Sequence, residues 1–382
     1  MRVLHVTLSA ATGGRRDAIL TLTDHLRRVG VECGLLALRN PPAELAHLAE
    51  QVDYYEGLEI AGRPTLRELA DVRRVCRTRR VDLIHAHDAG SQYVASALRV
   101  ANPSLRAVMT FHRTLGLESA GVRDRLRNRL TLPLIHKIVT ATEERRRFFL
   151  GESPMAADRV EVIPLGVDLT TFHPEPSMRA ELREELGLAP DTVLALAIGH
   201  SGPEKGIDQV VEAFAMAAAR MADRPWHLAL LGGGSPARLE ALHQAARAQL
   251  GDRVTLAGFR TDVPRWLQAA DLLVHAPRLE AFGLVVVQAM ATGLPVICTA
   301  VGGLPEIIVD QETGRLVPAG DVNSVADSIV ALIGDADARR RMGAAALLRA
   351  QSRYGAPLCA ERHLALYQNL LSRRATRTGA AQ

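Results

Sequence analysis

Cysteine is scarce in this sequence, and its scarcity excludes two common kinds of structural site. The 382 residues include four cysteines, far apart and with no C-x-x-C pair: Cys33, Cys76, Cys298 and Cys359. Neither a disulfide framework nor a cysteine-based zinc site is therefore predicted, and a reducing cytosol is the expected compartment. Residues 1–7 read as a strand and lack the long apolar core of a signal peptide.

Long hydrophobic runs and aromatic side chains are also few. No stretch approaches the roughly 20 apolar residues that cross a bilayer, and aromatic residues make up only 4% of the chain. Apolar residues nevertheless account for 48% of the sequence, which is enough to build globular cores and argues against a disordered chain. A chain of 382 residues is too long for one compact core, so two domains are predicted.

Lysine is nearly absent. Lys137 and Lys205 are the two lysines, so arginine carries almost all of the positive charge. The formal net charge of +4 fits an anionic ligand or a membrane surface without requiring either. Residues 123–147 alternate arginines with apolar residues, and a solvated helix pair is favoured there over a peripheral contact with the inner face of the membrane. The expected location is the cytoplasm, with that membrane contact as the alternative.

Short apolar runs alternate with helical-period stretches along the whole chain. The runs lie at residues 3–8, 34–38, 83–86, 107–111, 137–141, 160–163, 193–198, 228–231, 254–256, 272–275 and 295–298. Continuous apolar strands that alternate with helices predict parallel sheets covered on both faces. Prolines and a glycine between residues 163 and 176 predict a linker.

The predicted fold class is therefore α/β, with two doubly wound Rossmann-like domains that face a cleft. The N-terminal domain is expected over residues 1–168 and the C-terminal domain over 169–356. A terminal helix of about 357–375 is expected to pack back on the first domain. Ligands of such sheets bind at the carboxyl ends of the strands, and the motifs below fall at those positions.

Polar residues and glycines follow the strands of the first half. Gly13 and Gly14 come between the first strand and a helix, where backbone N–H groups approach a phosphate or a hydroxyl closely; a tight turn that needs glycine is an equally good explanation. His87 and Asp88 follow one strand and His112 follows the next, so a cleft rim and a purely structural role weigh equally. The H-x-H pattern lacks the carboxylate–histidine cluster of a usual metal site, and no metal ligand is predicted.

The second half carries the stronger motifs. Lys205 is the third residue of P-E-K-G, just before a helix, and an ammonium group at a helix N-terminus suits a diphosphate. Glu280 precedes a tight turn at Phe282-Gly283 that begins another helix, where N–H groups at the positive helix end form a natural phosphate site. The Asp335-Ala336-Asp337 sequence is not at a strand end, so a solvated helix cap is predicted there rather than a metal clamp.

These motifs carry a family resemblance. P-E-K-G, E-A-F-G-L-V-V-V-Q-A-M-A-T-G-L-P-V-I and V-G-G-L-P-E-I-I-V-D, in this order, resemble the nucleotide-sugar glycosyltransferases of family 4, a retaining family with the GT-B fold. Weaker similarities are G-G after the first strand, I-H-A-H-D, T-F-H and I-P-L-G-V-D. The resemblance extends from residue 1 to about residue 371, and its specific part lies in the second half.

The resemblance implies a binding site for the nucleotide-sugar donor and three catalytic residues. His112, Lys205 and Glu280 are the implied catalytic residues, with His112 beside the leaving-group side of the reacting sugar. The donor would be bound by Gly14, His200, Lys205, Gly258, Phe259, Arg260, Glu280, Phe282, Gly283, Leu284 and Gln288.

Other residues would line the acceptor side, and three positions depart from the family. The acceptor-side residues would be Gly13, Arg15, His87 and Asp88. His200 stands where the family usually has arginine, which makes one positive charge on the diphosphate conditional. Gln288 replaces a glutamate that would bind ribose hydroxyls, and Leu165 replaces an asparagine. The first two changes are interpreted as weakened or retuned donor binding.

The expected function is transfer of a sugar from a nucleotide-diphosphate donor, UDP rather than GDP, with retention of anomeric configuration. The expected acceptors are a glycan, a lipid-linked saccharide or a small metabolite, and neither a metal, another cofactor nor nucleic acid is expected. A nucleotide-sugar epimerase of the same fold and a non-catalytic nucleotide-binding paralogue remain the alternatives.

Overall fold

The computed structural model describes residues 1–10, 13–40, 47–48, 50–60, 64–112, 122–153 and 155–379. The chain divides into two compact units. The N-terminal unit comprises Met1–Gly166 together with Ala356–Gln382, and the C-terminal unit comprises Val167–Gly355. The division predicted from the sequence was at residue 168, with the return at residue 357.

The N-terminal unit is built on a seven-stranded sheet in the order β3-β2-β1-β4-β5-β6-β7. Its strands are β1 (Arg2–Thr7), β2 (Glu32–Ala37), β3 (Tyr54–Gly57), β4 (Leu83–Ala86), β5 (Arg106–Phe111), β6 (Lys137–Thr140) and β7 (Val160–Val162). Its helices are α1 (Gly14–Arg28), α2 (Leu66–Thr78), α3 (Ala89–Ala101), α4 (Val122–Thr131), α5 (Glu143–Glu152) and, at the end of the chain, α14 (Ala356–Gly379).

The C-terminal unit is built on a six-stranded sheet in the order β10-β9-β8-β11-β12-β13. Its strands are β8 (Val193–Ile198), β9 (Trp226–Leu231), β10 (Val254–Gly258), β11 (Leu272–His275), β12 (Val296–Thr299) and β13 (Gly314–Val317). Its helices are α6 (Pro176–Glu185), α7 (Ile207–Ala218), α8 (Pro236–Leu250), α9 (Val263–Ala269), α10 (Leu284–Ala291), α11 (Leu304–Ile307), α12 (Val322–Gly334) and α13 (Ala336–Arg353).

The pairings between these strands are parallel, which confirms the predicted class of two Rossmann-like parallel sheets. The central strands β4 and β11 are buried at every residue, because helices cover both faces of each sheet and leave apolar side chains no access to water. Strands β3 and β13 were missed. Their sequences, YYEG and GRLV, mix polar and apolar residues because both strands lie at sheet edges.

Helix α14 belongs to the N-terminal unit. It shares a core with β1 and α1, where Tyr367 is fully buried beside Leu26 and Val3. Helix α13 ends at Arg353 and α14 begins at Ala356, one residue before the start predicted for the terminal helix. Asp335 caps α13 by accepting the N–H of Ala338 at 2.8 Å, which confirms its predicted role as a helix cap.

The arginine-rich segment 123–147 spans α4, β6 and the start of α5. Leu126 and Leu130, one turn apart on α4, are exposed. Arg145 is buried, with its guanidinium 4.8 Å from the ring centroid of Phe148. Across the part of the chain that the structure describes, no helix is both long enough and apolar enough to span a membrane.

Candidate active site

A lysine, a glutamate and a histidine meet at the carboxyl ends of two neighbouring strands in the C-terminal unit. Lys205 Nζ lies 2.9 Å from Glu280 Oε2, and His275 Nε2 lies 3.2 Å from the same oxygen. The second oxygen, Oε1, accepts the N–H of Ala281 at 3.1 Å. His275 is the last residue of β11, and Lys205 follows β8, its neighbour in the sheet. Parallel pairing therefore brings together residues that are 75 positions apart in sequence.

These contacts keep the Glu280 carboxylate ionised although it is buried. Burial alone would raise the pKa of Glu280, but the hydrogen bond from His275 and the positive charge of Lys205 outweigh it and lower the pKa to about 2. His275 is buried, and its Nδ1 has no hydrogen-bond partner among the described residues. The proton of a neutral ring then lies on Nε2, where it is donated to the carboxylate.

The backbone of Glu280 is fixed by a close approach from a glycine. Gly302 has φ 53°, and a Cβ atom at this position would lie 1.7 Å from the carbonyl oxygen of Glu280. Only glycine combines this left-handed conformation with the available space. The V-G-G-L-P motif therefore acts as a backbone support for Glu280.

Helix α10 begins beside Glu280 and presents its N-terminus there. Gly283 is its N-cap with φ 96°, and its carbonyl accepts the N–H groups of Val286 and Val287. The N–H groups of Leu284 and Val285 precede these and have no acceptor within the helix. The positive end of the helix dipole and these two donors can bind an anion.

The remaining side chains of the α10 motif divide between the helix surface and the core. Leu284 and Gln288, one turn apart, are both half-buried on the helix face that the core does not cover. Phe282 is buried with its ring against Tyr354, at a centroid distance of 6.0 Å. The resemblance assigned Phe282 to the donor, but its side chain packs in the core and only its backbone is available to a ligand.

His200 folds back on its own loop. Its Nδ1 accepts the N–H of Gly202 at 3.0 Å, and its Nε2 lies 3.0 Å from Glu204 Oε1. Both contacts are satisfied by the neutral tautomer that carries its proton on Nε2. The structure therefore brings His200 to the P-E-K-G loop, where its side chain pairs with Glu204, the residue before Lys205.

Gly258, Phe259 and Arg260 follow β10. Gly258 ends the strand with φ 65°, and Phe259 is 57% exposed, which leaves its ring accessible to a planar ligand. Arg260 forms two hydrogen bonds with Asp262, at 2.8 and 2.7 Å. The guanidinium is thus paired, and the exposed ring of Phe259 is the more available of the two side chains.

The predicted acceptor-side residues lie in the N-terminal unit. Gly13 is the N-cap of α1 with φ 131°, and Gly14 is the first residue of the helix. Asp88 accepts hydrogen bonds from Thr7 Oγ1 at 2.9 Å and from the N–H of Leu8 at 2.6 Å, and it caps α3. This carboxylate joins β1 to α3, a structural role that the sequence left open beside a place at the cleft rim. Arg15 lies 3.9 Å from it.

His87 and His112 form part of a chain of imidazoles. His87 Nδ1 lies 3.2 Å from His112 Nε2, and His87 Nε2 lies 2.9 Å from Nδ1 of His5 on β1. His5 and His87 are buried and His112 is half-buried. Burial, with the charge of Arg15 as the next cause, lowers the pKa of His112 to about 3, and burial lowers the pKa of His5 to about 3 as well. The three rings are therefore neutral at neutral pH.

One group of described residues has the composition of a metal site. Ligand atoms of His5, His85 and His87 lie within 4.8 Å of one another. However, both ring nitrogens of His85 already have hydrogen-bond partners, Tyr367 Oη at 2.6 Å and Thr110 Oγ1 at 2.7 Å. His5 and His87 face each other directly. The three residues therefore fit a hydrogen-bonded network better than a metal centre, in which each ring would turn a bare nitrogen to the ion.

The sequence prediction missed His275 and His5 as site residues. His275 was assigned only to a strand and His5 only to β1, because a histidine inside an apolar run is usually structural. The available signal was position: His275 ends its strand five residues before Glu280, and strand ends are where ligands bind. His5 had no such signal, since its partner lies 82 residues away.

Comparison with known proteins assigns both halves of the chain. Residues 12–171 match the model of Glycosyltransferase Family 4, and residues 178–349 match the model of Glycosyl transferases group 1. Together the two matches leave only the ends of the chain and a short linker unassigned.

Two curated relatives carry the same name. A D-inositol 3-phosphate glycosyltransferase of Nocardia farcinica is 35% identical over 222 residues, which is 56% of this chain and 48% of the relative. One of Corynebacterium aurimucosum is 29% identical over 373 residues, covering 90% of this chain and 88% of the relative. The chain spans about half the length of the first curated relatives it matches.

A solved structure matches nearly the whole chain. The crystal structure of Anabaena Alr3699/HepE in complex with UDP and glucose superposes with a TM-score of 0.85 at 22% identity, covering 97% of this chain and all of the other. At that identity the similarity shows the fold.

Proposed function

Because the chain belongs to the family 4 glycosyltransferases of the GT-B fold, we propose that it transfers a sugar from a nucleotide-diphosphate donor to a hydroxyl acceptor with retention of anomeric configuration. The observation that carries this proposal is the joint placement of Lys205, Glu280 and the N-terminus of α10 at the strand ends of the C-terminal unit. The cation and the N–H donors there suit the diphosphate of such a donor, and the oriented carboxylate suits the hydroxyl groups of its sugar.

The diphosphate is the part of the donor that these groups fit best. Departure of the nucleoside diphosphate leaves negative charge on its terminal phosphate, and preorganised cations and N–H groups stabilise that charge. Lys205 and the N–H groups of Leu284 and Val285 supply them. A side chain that is only 24% exposed interacts more strongly with a phosphate than a fully solvated lysine does.

Glu280 is better suited to orienting the sugar than to attacking it. Its Oε2 is held by Lys205 and His275, and Oε1 accepts the N–H of Ala281. The remaining lone pairs can accept hydrogen bonds from sugar hydroxyls. Because the carboxylate is fixed in this way, retention would arise from acceptor attack on the face that the diphosphate leaves, with the proton passing to a diphosphate oxygen.

UDP is the proposed nucleotide and a phosphorylated cyclitol the first acceptor to test. The structural neighbour from Anabaena was crystallised with UDP and glucose, and the curated relatives are named for D-inositol 3-phosphate. Arg15, with 39% of its side chain exposed and 3.9 Å from Asp88, is a cation of the N-terminal unit that an anionic acceptor could engage.

A nucleotide-sugar panel tests the proposal. Ligands that bind only the folded state raise its melting temperature by mass action, so UDP-sugars should protect the protein from thermal unfolding more than GDP-sugars do. The protective donor is then incubated with D-inositol 3-phosphate and with unphosphorylated inositol, and the anomeric configuration of the product is read by NMR.

Each alternative gives a distinct result in this panel. Conversion of the donor without any acceptor would support an epimerase. Protection by the nucleotide without turnover for any acceptor class would support a non-catalytic paralogue. An inverted product would contradict the proposed stereochemistry while leaving sugar transfer in place.

A further inference from the structure

The sheet of the N-terminal unit carries a line of histidines that no donor-site residue explains. His5 lies on β1, His87 directly follows β4 and His112 directly follows β5, and these three strands are adjacent in the sheet. Their ring nitrogens form two consecutive contacts, 2.9 Å from His5 Nδ1 to His87 Nε2 and 3.2 Å from His87 Nδ1 to His112 Nε2. Each contact is within hydrogen-bond distance.

A chain of neutral imidazoles has only two proton arrangements. Each neutral ring has one N–H donor and one bare acceptor nitrogen. In each contact one nitrogen must therefore carry the proton and the other must not. If His5 donates to His87, then His87 donates to His112 and the proton of His112 lies on Nδ1. If the direction is reversed, every proton moves to the other nitrogen and His112 carries its proton on Nε2.

The inner end of the chain selects between these arrangements. His5 is fully buried, and its Nε2 has no hydrogen-bond partner among the residues described. A buried N–H without an acceptor is rarer in proteins than a buried acceptor without a donor. The proton of His5 is therefore favoured on Nδ1. His5 then donates to His87, and His87 donates to His112.

We propose that His5 and His87 are positioning residues that hold His112 in the tautomer with its proton on Nδ1. His112 then presents a fixed N–H donor, because its Nε2 is occupied by His87. Under the proposed function, on which this inference rests, this N–H group would donate a hydrogen bond to an oxygen of a bound substrate. Neutrality of the rings is supported by burial, which lowers the pKa of both His5 and His87.

The residues around the three imidazoles pack against them but, within the part of the chain that the structure describes, form no hydrogen bond with their ring nitrogens. The ring of His85 packs on that of His87 at 4.2 Å between centroids, and its own nitrogens bond Tyr367 and Thr110. His363 of α14 donates from Nδ1 to the carbonyl of Cys359 at 2.9 Å, and its ring centroid lies 5.6 Å from that of His85. His363 is thus a buried histidine of the same cluster that is outside the chain, which makes it a matched control.

The tautomers can be read directly by NMR. In the full-length protein labelled with ¹⁵N-histidine, long-range ¹H–¹⁵N spectra distinguish a protonated ring nitrogen from a bare one, and His112→Asn assigns the signal of His112. We expect His112 and His5 each to carry the proton on Nδ1 and His87 to do the same. A proton on Nε2 of His112 would overturn the proposal. A stoichiometric metal in the purified protein would also overturn it if the histidine signals shift when a chelator removes the metal.

Two substitutions of His5 test the function of the chain. Asparagine places an amide N–H where Nδ1 of histidine lies, whereas leucine places none. We expect His5→Leu to lose the single tautomer of His112 and to lower kcat at least about tenfold with little change in KM, and His5→Asn to restore both. His363→Leu should change stability but neither the tautomer nor kcat.

The spectral and kinetic results separate two kinds of failure. If His5→Leu does not fold, the wild-type spectrum and the Asn variant still decide the tautomer. If the outward tautomer is found but no sugar transfer occurs, the proposed function fails and the positioning role stands. A His5→Leu protein with wild-type kcat and an unchanged His112 signal would contradict the positioning role.

Discussion

Lys205 is one of two lysines in a chain whose positive charge comes almost entirely from arginine. Most of its side chain is buried, and its ammonium group lies against the carboxylate of Glu280. A lysine is a compact point charge, and its three donors can be shared between Glu280 and a phosphate. Under the proposed function, Lys205 would therefore bind a phosphate oxygen while it keeps its contact with Glu280.

Replacement of this lysine should impair catalysis more than folding. Lys205→Ala removes the cation beside the leaving phosphate, so kcat/KM should fall about 10²- to 10³-fold, the usual effect of losing one charge-stabilising donor. The matched control is Lys137→Ala, which removes the other lysine, paired with Glu161 at 3.8 Å in the N-terminal unit. Steady-state kinetics should show near-wild-type values for Lys137→Ala; equal values for both variants would refute the phosphate assignment of Lys205.

His275 should act through Glu280. His275→Gln places an amide nitrogen near the position of Nε2 and can keep the hydrogen bond to Glu280, whereas His275→Asn is too short to reach it. We expect the Asn variant to lower kcat/KM about tenfold or more and the Gln variant to retain most activity. Without the hydrogen bond from residue 275, the Glu280 carboxylate would no longer be held in the orientation that the reaction needs. Similar losses in both variants, with similar melting temperatures, would mean that the ring itself rather than its Nε2–H is required.

Helix α10 combines the N-terminus to which the proposed function assigns the diphosphate with a body that packs in the core. Five of its eight residues are buried, so tertiary packing fixes its direction and aims its first N–H groups. The left-handed Gly283 makes the sharp turn from Glu280 into the helix, and the two N–H donors depend on that turn. A short helix can thus place a binding site, because the core around it supplies the rigidity that its length cannot.

Gly283→Ala should weaken donor binding and destabilise the protein. A Cβ atom there would lie 2.5 Å from Leu304 Cδ2, and the residue has φ 96°. The matched control is Gly251→Ala at the end of α8, which also has a positive φ of 57° but open space around its Cβ. Both should lose about 1–2 kcal/mol of stability from the left-handed conformation, and only Gly283→Ala should lose affinity for UDP in titration calorimetry. Equal affinities would show that the start of α10 does not bind the diphosphate.

Helix α14 belongs to the N-terminal unit although it follows the whole C-terminal unit in sequence. Tyr367 and His363 bring its side chains to the same cluster as His85, whose Nδ1 lies 2.6 Å from Tyr367 Oη. Helix α14 therefore packs against His85, which in turn packs on His87 of the imidazole chain.

The two units differ in their content of buried neutral histidines. Burial lowers the pKa of His5, His85, His87, His112 and His363, and all five lie in the N-terminal unit. The unfolded forms take up protons as the pH falls below about 6.5, whereas the pKa is about 3 for folded His5 and His112 and about 4 for folded His363. Burial also lowers the pKa of folded His85 and His87 well below the usual histidine value. The stability that they confer is present above pH 6.5 and is lost as the pH falls from there.

Acid should therefore unfold the N-terminal unit first. Each such histidine lowers the free energy of unfolding by up to about 1.4 kcal/mol per pH unit below its unfolded pKa. Both tryptophans, Trp226 and Trp266, lie in the C-terminal unit and are buried, so their fluorescence follows that unit alone. In an acid titration the far-UV circular dichroism should begin to change at a higher pH than the fluorescence. Coincident curves would contradict this prediction.

The whole reaction should proceed without a divalent ion. Lys205 and the N–H groups that begin α10 already offer positive charge to a diphosphate, so the proposed chemistry requires no further cation. Activity measured in excess EDTA should equal that of the untreated enzyme, with a metal-dependent glycosyltransferase assayed in parallel as the control. Loss of activity that added Mg²⁺ or Mn²⁺ restores would contradict the proposal.

The sequence by itself determined the fold class and the positions of the motifs to which the proposed function assigns the donor. Alternating apolar runs and helical stretches require parallel sheets, because a strand with two apolar faces must be covered twice. The P-E-K-G and E-A-F-G motifs lie at strand ends for the same reason, since loops there join strands to helix N-termini. These features are local in the chain, so composition and spacing reveal them.

Only the tertiary structure decided which residues meet. His5, His87 and His112 are brought together by the strand order β1-β4-β5, and an apolar run does not specify its neighbour in a sheet. The same holds for His275 beside Lys205, for the burial of Phe282 and for Asp88, whose carboxylate joins β1 to α3. Strand neighbours are chosen by packing across the whole unit, because each pairing must bury its faces together with all the others. That choice depends on the full set of contacts and is absent from any single segment.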